Sequence, residues 1–284
     1  MLVNMNKSIK LTASLLVAAI LPSTAHAINV TTSTDANTLA NNILGSGISI
    51  SNVSLIGANT QQGTFTGGLA DGIGIDAGII LTSGNANSAD TGGAGNITDN
   101  TTSFTGTGSN TALTNLSGFS TNDQNVLKFD FTSNGGDVFF NYVFASEEYN
   151  EFVGSQFNDV FAFFLDGVNI ALIPGTSTAV TINNVNNSSN SSFYNDNDPS
   201  NGIPTPYSIE YDGFTDVFTA QFLGLSAGTH TIELAIADAG DSSLDSAVFI
   251  QAGSFSDTKI PEPSSIALFG LGLLGLSFIR RRRI

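Results

Sequence analysis

Cysteine and tryptophan are absent from the 284 residues, and Lys plus Arg number 8 against 24 Asp plus Glu. The missing cysteine excludes disulfides, thiol nucleophiles and cysteine-ligated zinc or iron–sulfur centres. Long loops must therefore be held some other way. The shortage of cations is more severe than the totals suggest. Lys7 and Lys10 lie near the start and Arg280, Arg281, Arg282 and Arg283 at the end, so only Lys128 and Lys259 accompany every carboxylate except Glu262. Such a body cannot neutralise phosphates, which excludes nucleic acid as a partner. Its acidity has two readings: a solvated soluble surface, or cation binding. Histidine is limited to His26 and His230, and no Gly-x-Ser-x-Gly elbow accompanies His230. It is expected as a surface histidine on a strand, and a hydrolytic triad has no support.

The chain is instead rich in Gly, Ser, Thr, Asn and Phe, an inventory that suits strands and turns more than long surface helices. At the front, Lys7 and Lys10 precede an apolar run from Leu11 to Leu21 and then Ala25-His26-Ala27, the order of a secretory signal. Cleavage after Ala27 would leave Ile28 as the new N-terminus. At the back stand Pro261-Glu262-Pro263, an apolar run from Ile266 to Ile279, and the four arginines. As a helix that run spans about 21 Å, less than the roughly 30 Å hydrocarbon core, so it reads as a thin or temporary transmembrane anchor. Arginines stay on the cytoplasmic side, which places the body across the membrane, in agreement with the leader.

Between the ends, Leu39, Ile43 and Leu44, opened by Thr34 or Asp35 and closed by Gly45, predict one short helix. Strands are expected over Ile48–Ile56, Gly63–Phe65 and Ile79–Thr82. Residues 84–124 carry few large apolar side chains and predict a mobile excursion or a covering loop, with little regular structure. Val126–Phe131 and Val138–Phe144 predict two antiparallel strands joined by a Gly135-Gly136 turn. Val160–Leu165 reads as a central strand buried on both faces, turning at Asp166-Gly167 into Val168–Leu172. After a polar loop over 183–206, strands are expected at Tyr207–Tyr211, Val217–Leu223, Thr229–Ala237 and Ala247–Phe255. The fold class that follows is all-β: a two-sheet antiparallel β-sandwich, jelly-roll-like, with one short N-terminal helix beside the signal helix and the C-terminal hydrophobic helix. The expected division is 1–27 signal, 28–258 sandwich and 259–284 tail.

Two acidic clusters can carry chemistry. Glu147, Glu148 and Glu151, followed by Asn158 and Asp159 at the entrance to an apolar strand, fit a calcium-clamped loop, since calcium takes six to eight oxygens. The competing reading is a solvated acidic loop, but an unpaired Asp159 against Val160-Phe161-Ala162-Phe163-Phe164 would be costly. Asp238, Asp241 and Asp245 form the second candidate, with an Asx-rich turn as its competitor. Asn195-Asp196-Asn197-Asp198 lacks the EF-hand glycine and terminal glutamate, and reads as a surface loop. Glu148 with Asp159 could hydrolyse a polysaccharide only at a suitable separation. Tyr149, Tyr194, Tyr207 and Tyr211 are either sugar-stacking or packed.

The tail resembles the PEP-CTERM sorting signal in all three of its parts. That resemblance implies recognition by the membrane protease exosortase, cleavage near Pro261-Glu262-Pro263, and transfer to the surface or matrix in bacteria that secrete exopolysaccharide. Phe144 through Val153 and Phe157 through Leu165 resemble the signature of the choice-of-anchor L domain. Gly78-Ile79-Ile80-Leu81-Thr82-Ser83-Gly84 resembles its beginning, and Ile236–Asp241 with Leu244–Phe249 its end. The resemblance implies a β-rich surface domain and no transferable activity. The expectation is a non-enzymatic, calcium-stabilised surface or biofilm-matrix protein contacting exopolysaccharide. A lectin-like module and an extracellular polysaccharide hydrolase are its alternatives.

Overall fold

The computed structural model describes residues 27–45, 48–202 and 205–259. The leader up to His26, including Ala25, and the tail with Pro261, Glu262, Pro263 and the arginines lie outside the described residues. Among the described residues no helix is long and apolar enough to cross a membrane.

The strands are β1 (Asn29–Thr32), β2 (Ile50–Ile56), β3 (Gln62–Thr66), β4 (Ala77–Thr82), β5 (Thr121–Ser146), β6 (Val160–Leu165), β7 (Val168–Asn169), β8 (Tyr194–Asp196), β9 (Gly213–Thr215), β10 (Phe218–Ala239) and β11 (Ser246–Gln251). The helices are α1 (Ala36–Ile43) and α2 (Thr111–Ser117). Every strand pairing is antiparallel.

The frame is a ribbon of two very long strands, β5 and β10, paired from Ala239↔Thr121 to Phe218↔Tyr142. This corrects the expected hairpin at Gly135-Gly136, because both glycines lie inside one continuous strand. Their backbone angles (φ 91° and 118°) are open only to glycine, and the register slips between Phe222 and Leu225 opposite them. Across the bend the inward-facing positions of β5 switch from odd-numbered to even-numbered residues. Leu127, Phe129 and Phe131 are buried before the bend, and Val138, Phe140, Tyr142 and Phe144 after it, all in one core. Glycine therefore bends the strand where the sequence pattern suggested a turn. The expected strands Val217–Leu223 and Thr229–Ala237 merge into β10 for the same reason.

On one side of the bend β2 and β6 flank the ribbon; on the other stand β11 and β9, with β4, β3 and β1 following β11. The two halves fold over the main core as a sandwich. Phe255 seals them by edge contacts to Phe129 and Phe131 at ring-centroid distances of 5.6 and 5.1 Å, and by a tilted contact to Phe140 at 5.5 Å. Burying each such ring is worth about 1.5–3 kcal/mol. A second core, containing Ile28, Phe65, Ile80, Val143, Tyr211 and Phe249, covers the opposite face of β3, β4, β11 and β5. β6 is buried on both faces as expected, with Phe161 and Phe163 toward the main core and Val160 and Ala162 toward α2.

Helix α1 forms where the periodicity places it. Asp35 caps it by accepting from Asn37 N–H at 3.0 Å, and Leu39, Ala40 and Ile43 face the core. α2 was not expected. It lies in the 84–124 segment, capped by Asn110, and buries Leu113 against β6 and β10. Tyr207–Tyr211 is no strand; Ile209 makes an isolated antiparallel bridge to Asp90, which itself lies outside the named strands. His230 corrects another expectation. It is 8% exposed, and its two ring nitrogens face Asp166 Oδ2 (2.6 Å) and the Ser226 carbonyl (3.0 Å). Imidazolium donates to both acceptors, whereas the neutral ring could serve only one of them and would accept instead from the Ser226 hydroxyl at 3.4 Å. The Asp166 hydrogen bond raises the His230 pKa, and Asp166 is lowered in turn despite its own desolvation. The Asp166 side chain is 48% exposed, so solvent still screens the pair. A raised folded pKa stabilises fully below the unfolded value of about 6.5 and fades as pH rises through the folded value. Chemical denaturation of His230→Gln is expected to show a deficit against wild type at pH 5 that shrinks by pH 9. A constant deficit would rule out the charged pair.

Candidate functional site

The register of the sheet brings strand ends, and with them carboxylates, to one place. Ser246 pairs with Ser146 and Gly213 also pairs with Ser146, so the preceding or following acids, Asp245, Glu147 and Asp212, fall side by side on three adjacent chains. Ala237 pairs with Val160, which sets Asp238 beside Asp159. The two clusters, separate in sequence, form one acidic centre.

Six of its carboxylates are sealed from solvent: Asp159, Asp212 and Asp238 are 0% exposed, and Glu147, Glu148 and Asp245 are 1% exposed. Few donors reach them. Asp159 accepts from Ala239 N–H (2.9 Å) and the Ser246 hydroxyl (2.7 Å). Asp245 Oδ1 accepts from Ser103 N–H (3.1 Å), Glu147 Oε2 only distantly from Thr101 N–H (3.4 Å), and Asp212 Oδ1 from Asn96 Nδ2 (2.6 Å). Glu147 Oε1, Glu148 Oε2, Asp212 Oδ2, Asp245 Oδ2 and both oxygens of Asp238 have no hydrogen-bond donor in bonding geometry. The nearby Ser83 hydroxyl gives Asp238 only partial relief. Neither lysine compensates. Lys128 pairs with Glu233 at 3.4 Å, and Lys259 is exposed.

Burial, reinforced by mutual repulsion, pushes the carboxyls toward their neutral forms. Asp159 and Asp245 rise to about 7, Asp212 to about 9 and Glu148 to about 10, while Glu147 and Asp238 rise well above the carboxylate range. Without cations the centre can persist only by holding protons; with divalent cations it can ionise.

The remaining expected ligands take different places. Asp241 is partly exposed, accepts from Ser243 N–H, and lies close enough to repel Glu148 and Asp159. Glu151 is exposed, beside Asp99. Asn158 is buried, but its Oδ1 accepts from Asn183 N–H (3.0 Å), so it anchors a loop. Asp123, Asp198, Glu210 and Asp212 were missed although all are buried. Asn195–Asp198 is not a surface loop: Asn197 is 0% exposed and holds the carbonyls of Ile209 and Tyr211. An acidic residue alternating with apolar ones in Ile209-Glu210-Tyr211-Asp212 was the signal available for the missed residues. The tyrosines are packed; Tyr149 is buried, donates to the Val185 carbonyl at 2.8 Å and lies 4.8 Å from the Tyr194 ring.

The expected mobile loop is the lid of this centre. Its backbone N–H groups at Ile97, Thr101 and Ser103 serve Glu210, Glu147 and Asp245, and those of Thr105 and Gly106 serve Asp123. Gly84 closes the floor, since a Cβ there would lie 1.6 Å from Asp245 Oδ2.

These features coincide with a family match. The model of the choice-of-anchor L domain matches residues 24–256. The chain belongs to the choice-of-anchor L family. Its acidic centre falls wholly within the matched region, and a PEP-CTERM protein-sorting motif matches residues 259–283. Together they mark an exported surface protein sorted by exosortase, with transient membrane association before display. Neither family is an enzyme family. No curated protein and no solved structure matches the chain.

Proposed function

We propose that this choice-of-anchor L protein is a non-catalytic component of the cell surface or extracellular matrix whose β-sandwich is braced by buried calcium. In this reading removal of the leader and tail leaves residues 28–258 as the body, released or displayed in a biofilm matrix of exopolysaccharide. The single observation that carries the calcium reading is Asp238: 0% exposed, with neither oxygen given a hydrogen-bond donor, among five other sealed carboxylates and with no lysine beside them among the described residues. Two unlike charges attract strongly at such low polarity, and calcium accepts six to eight oxygens, including carboxylates and backbone carbonyls. Asp159, Asp238 and Glu148, with Glu147 and Asp245, would close on the bound ion; among the described residues no three of their oxygens already lie within 4.8 Å of one another, so these side chains would draw in as the ion binds. The bound ion would supply positive charge that ties β5, β6, β10 and β11 to the 84–124 lid, in place of disulfides. Glu148 and Asp159 are brought together but sealed, so they present no face to a polysaccharide, which disfavours the hydrolase reading.

Isothermal titration of the exported chain with calcium at pH 7 is expected to show saturable uptake with proton release, the proton-coupled part being lost in Asp159→Asn/Asp238→Asn. Uptake no stronger in wild type than in that double variant would remove the brace.

A further inference from the structure

We infer that Asp99, Glu151 and Asp212 form an outer divalent-cation site that stays hydrated and exchanges its ion with the surroundings. It rests on the calcium reading above and extends it outward through Asp212 to two exposed carboxylates. Each of the three places a carboxylate oxygen within 4.8 Å of the other two. Two oxygens bound to one calcium at about 2.4 Å can be at most about 4.8 Å apart, so one ion can touch all three. Asp212 is fully buried, its Oδ1 held by Asn96 and its Oδ2 without a donor. Asp99 and Glu151 are exposed and come from two other segments, and buried Asp198 adds its field to Asp99 and Asp212. Three carboxylates leave about half of the six to eight positions open on the solvent side. Water fills them until a hydroxyl or carboxylate oxygen of an external ligand replaces it. A body this acidic can hold an anionic ligand only through such a bridging ion.

Terbium(III) luminescence on the exported chain tests this, because lifetimes in H2O and D2O count the waters on each bound ion. Two classes are expected: a dry one, and one carrying roughly three or more waters. Asp99→Asn/Glu151→Gln should abolish the wet class and leave the dry class intact. A dry class alone, or a wet class that survives both substitutions, overturns the outer site while sparing the inner brace. Failure of terbium to bind at all overturns both.

A separate observation concerns the N-terminus. Ile28 is fully buried, and its backbone N–H donates to Asp71 Oδ2, itself in a 3% exposed side chain. We propose that cleavage after Ala27 turns this donor into an ammonium ion-paired with Asp71, so that leader removal completes the second core. A buried carboxylate gains far more from a cation than from an amide, whereas removing one partner of a buried pair is strongly destabilising. Asp71→Asn is expected to lower the unfolding temperature by roughly 10 °C in the chain beginning at Ile28, and by much less where residues still precede Ile28. Equal losses in both backgrounds would overturn the pair. As an independent readout, acylation of the native chain should spare the Ile28 amine while modifying exposed Lys259; equal labelling overturns it.

Discussion

Chelating calcium is expected to lower the unfolding temperature of the exported chain by roughly 8–16 °C relative to a thousandfold excess of calcium over Kd. Ligand linkage at that excess is worth about 4 kcal/mol for one site, and a domain of this size shifts by about 2–4 °C per kcal/mol. The physical cause is the set of sealed, donor-poor oxygens on Glu147, Glu148, Asp212, Asp238 and Asp245. Differential scanning calorimetry in millimolar calcium and in chelator measures it. Asp238→Asn makes the test specific. With calcium the variant loses a ligand and should be less stable than wild type. In chelator it should be more stable, because the amide removes a carboxyl that could stay buried only by holding a proton. The same sign in both conditions would show that Asp238 serves packing alone, and an unchanged wild-type midpoint would end the brace.

The pH dependence should invert the usual behaviour of acidic proteins. Folded-state carboxyls normally have depressed pKa values, so stability is lost as pH falls. Here burial raises Asp159 and Asp245 to about 7, Asp212 to about 9 and Glu148 to about 10. The chelated native state then retains protons that the unfolded chain, titrating near 4, has released, and stability must fall as pH rises. Each retained proton contributes a slope of about 1.4 kcal/mol per pH unit. Between pH 5 and pH 8 the chelated protein should therefore weaken steeply, while saturating calcium displaces the protons and flattens the profile. Urea melts across that range check both curves. A chelated protein that gains stability toward pH 8 would contradict the sealed centre.

Much of the fold was legible in the sequence because strand patterns are local. Partial alternation located β2, short apolar stretches between turn residues located β3, β4 and β11, a continuous apolar run located β6, and Asp35 with Leu39 and Ile43 located α1. The bend was not legible. Gly135-Gly136 reads equally well as a turn or as a kink, and only the pairing of β5 with β10 on both sides of it separates the two. α2 was hidden by a polar segment whose sole large buried anchor is Leu113. The two glycines of Gly78–Gly84 illustrate a motif explained after the fact. A Cβ at Gly78 would strike the Ile250 carbonyl at 1.9 Å and one at Gly84 the Asp245 carboxylate.

By itself the sequence determined the class of the protein: sorting ends, an anionic body without cysteine, and strands in place of helices, all of which follow from residue types and short-range periodicity. It also marked Glu147, Glu148, Asp159, Asp238 and Asp245 as candidate cation ligands, and Asp159 as an acid that its apolar neighbours would trouble. Only the tertiary structure decided that they are one centre and that Asp123, Glu210 and Asp212 join it, because cross-strand register sets which distant strand ends meet. Sequence spacing carries no record of that register, and burial, which turns ordinary carboxylates into ones that resist ionising, exists only once the sheets have closed.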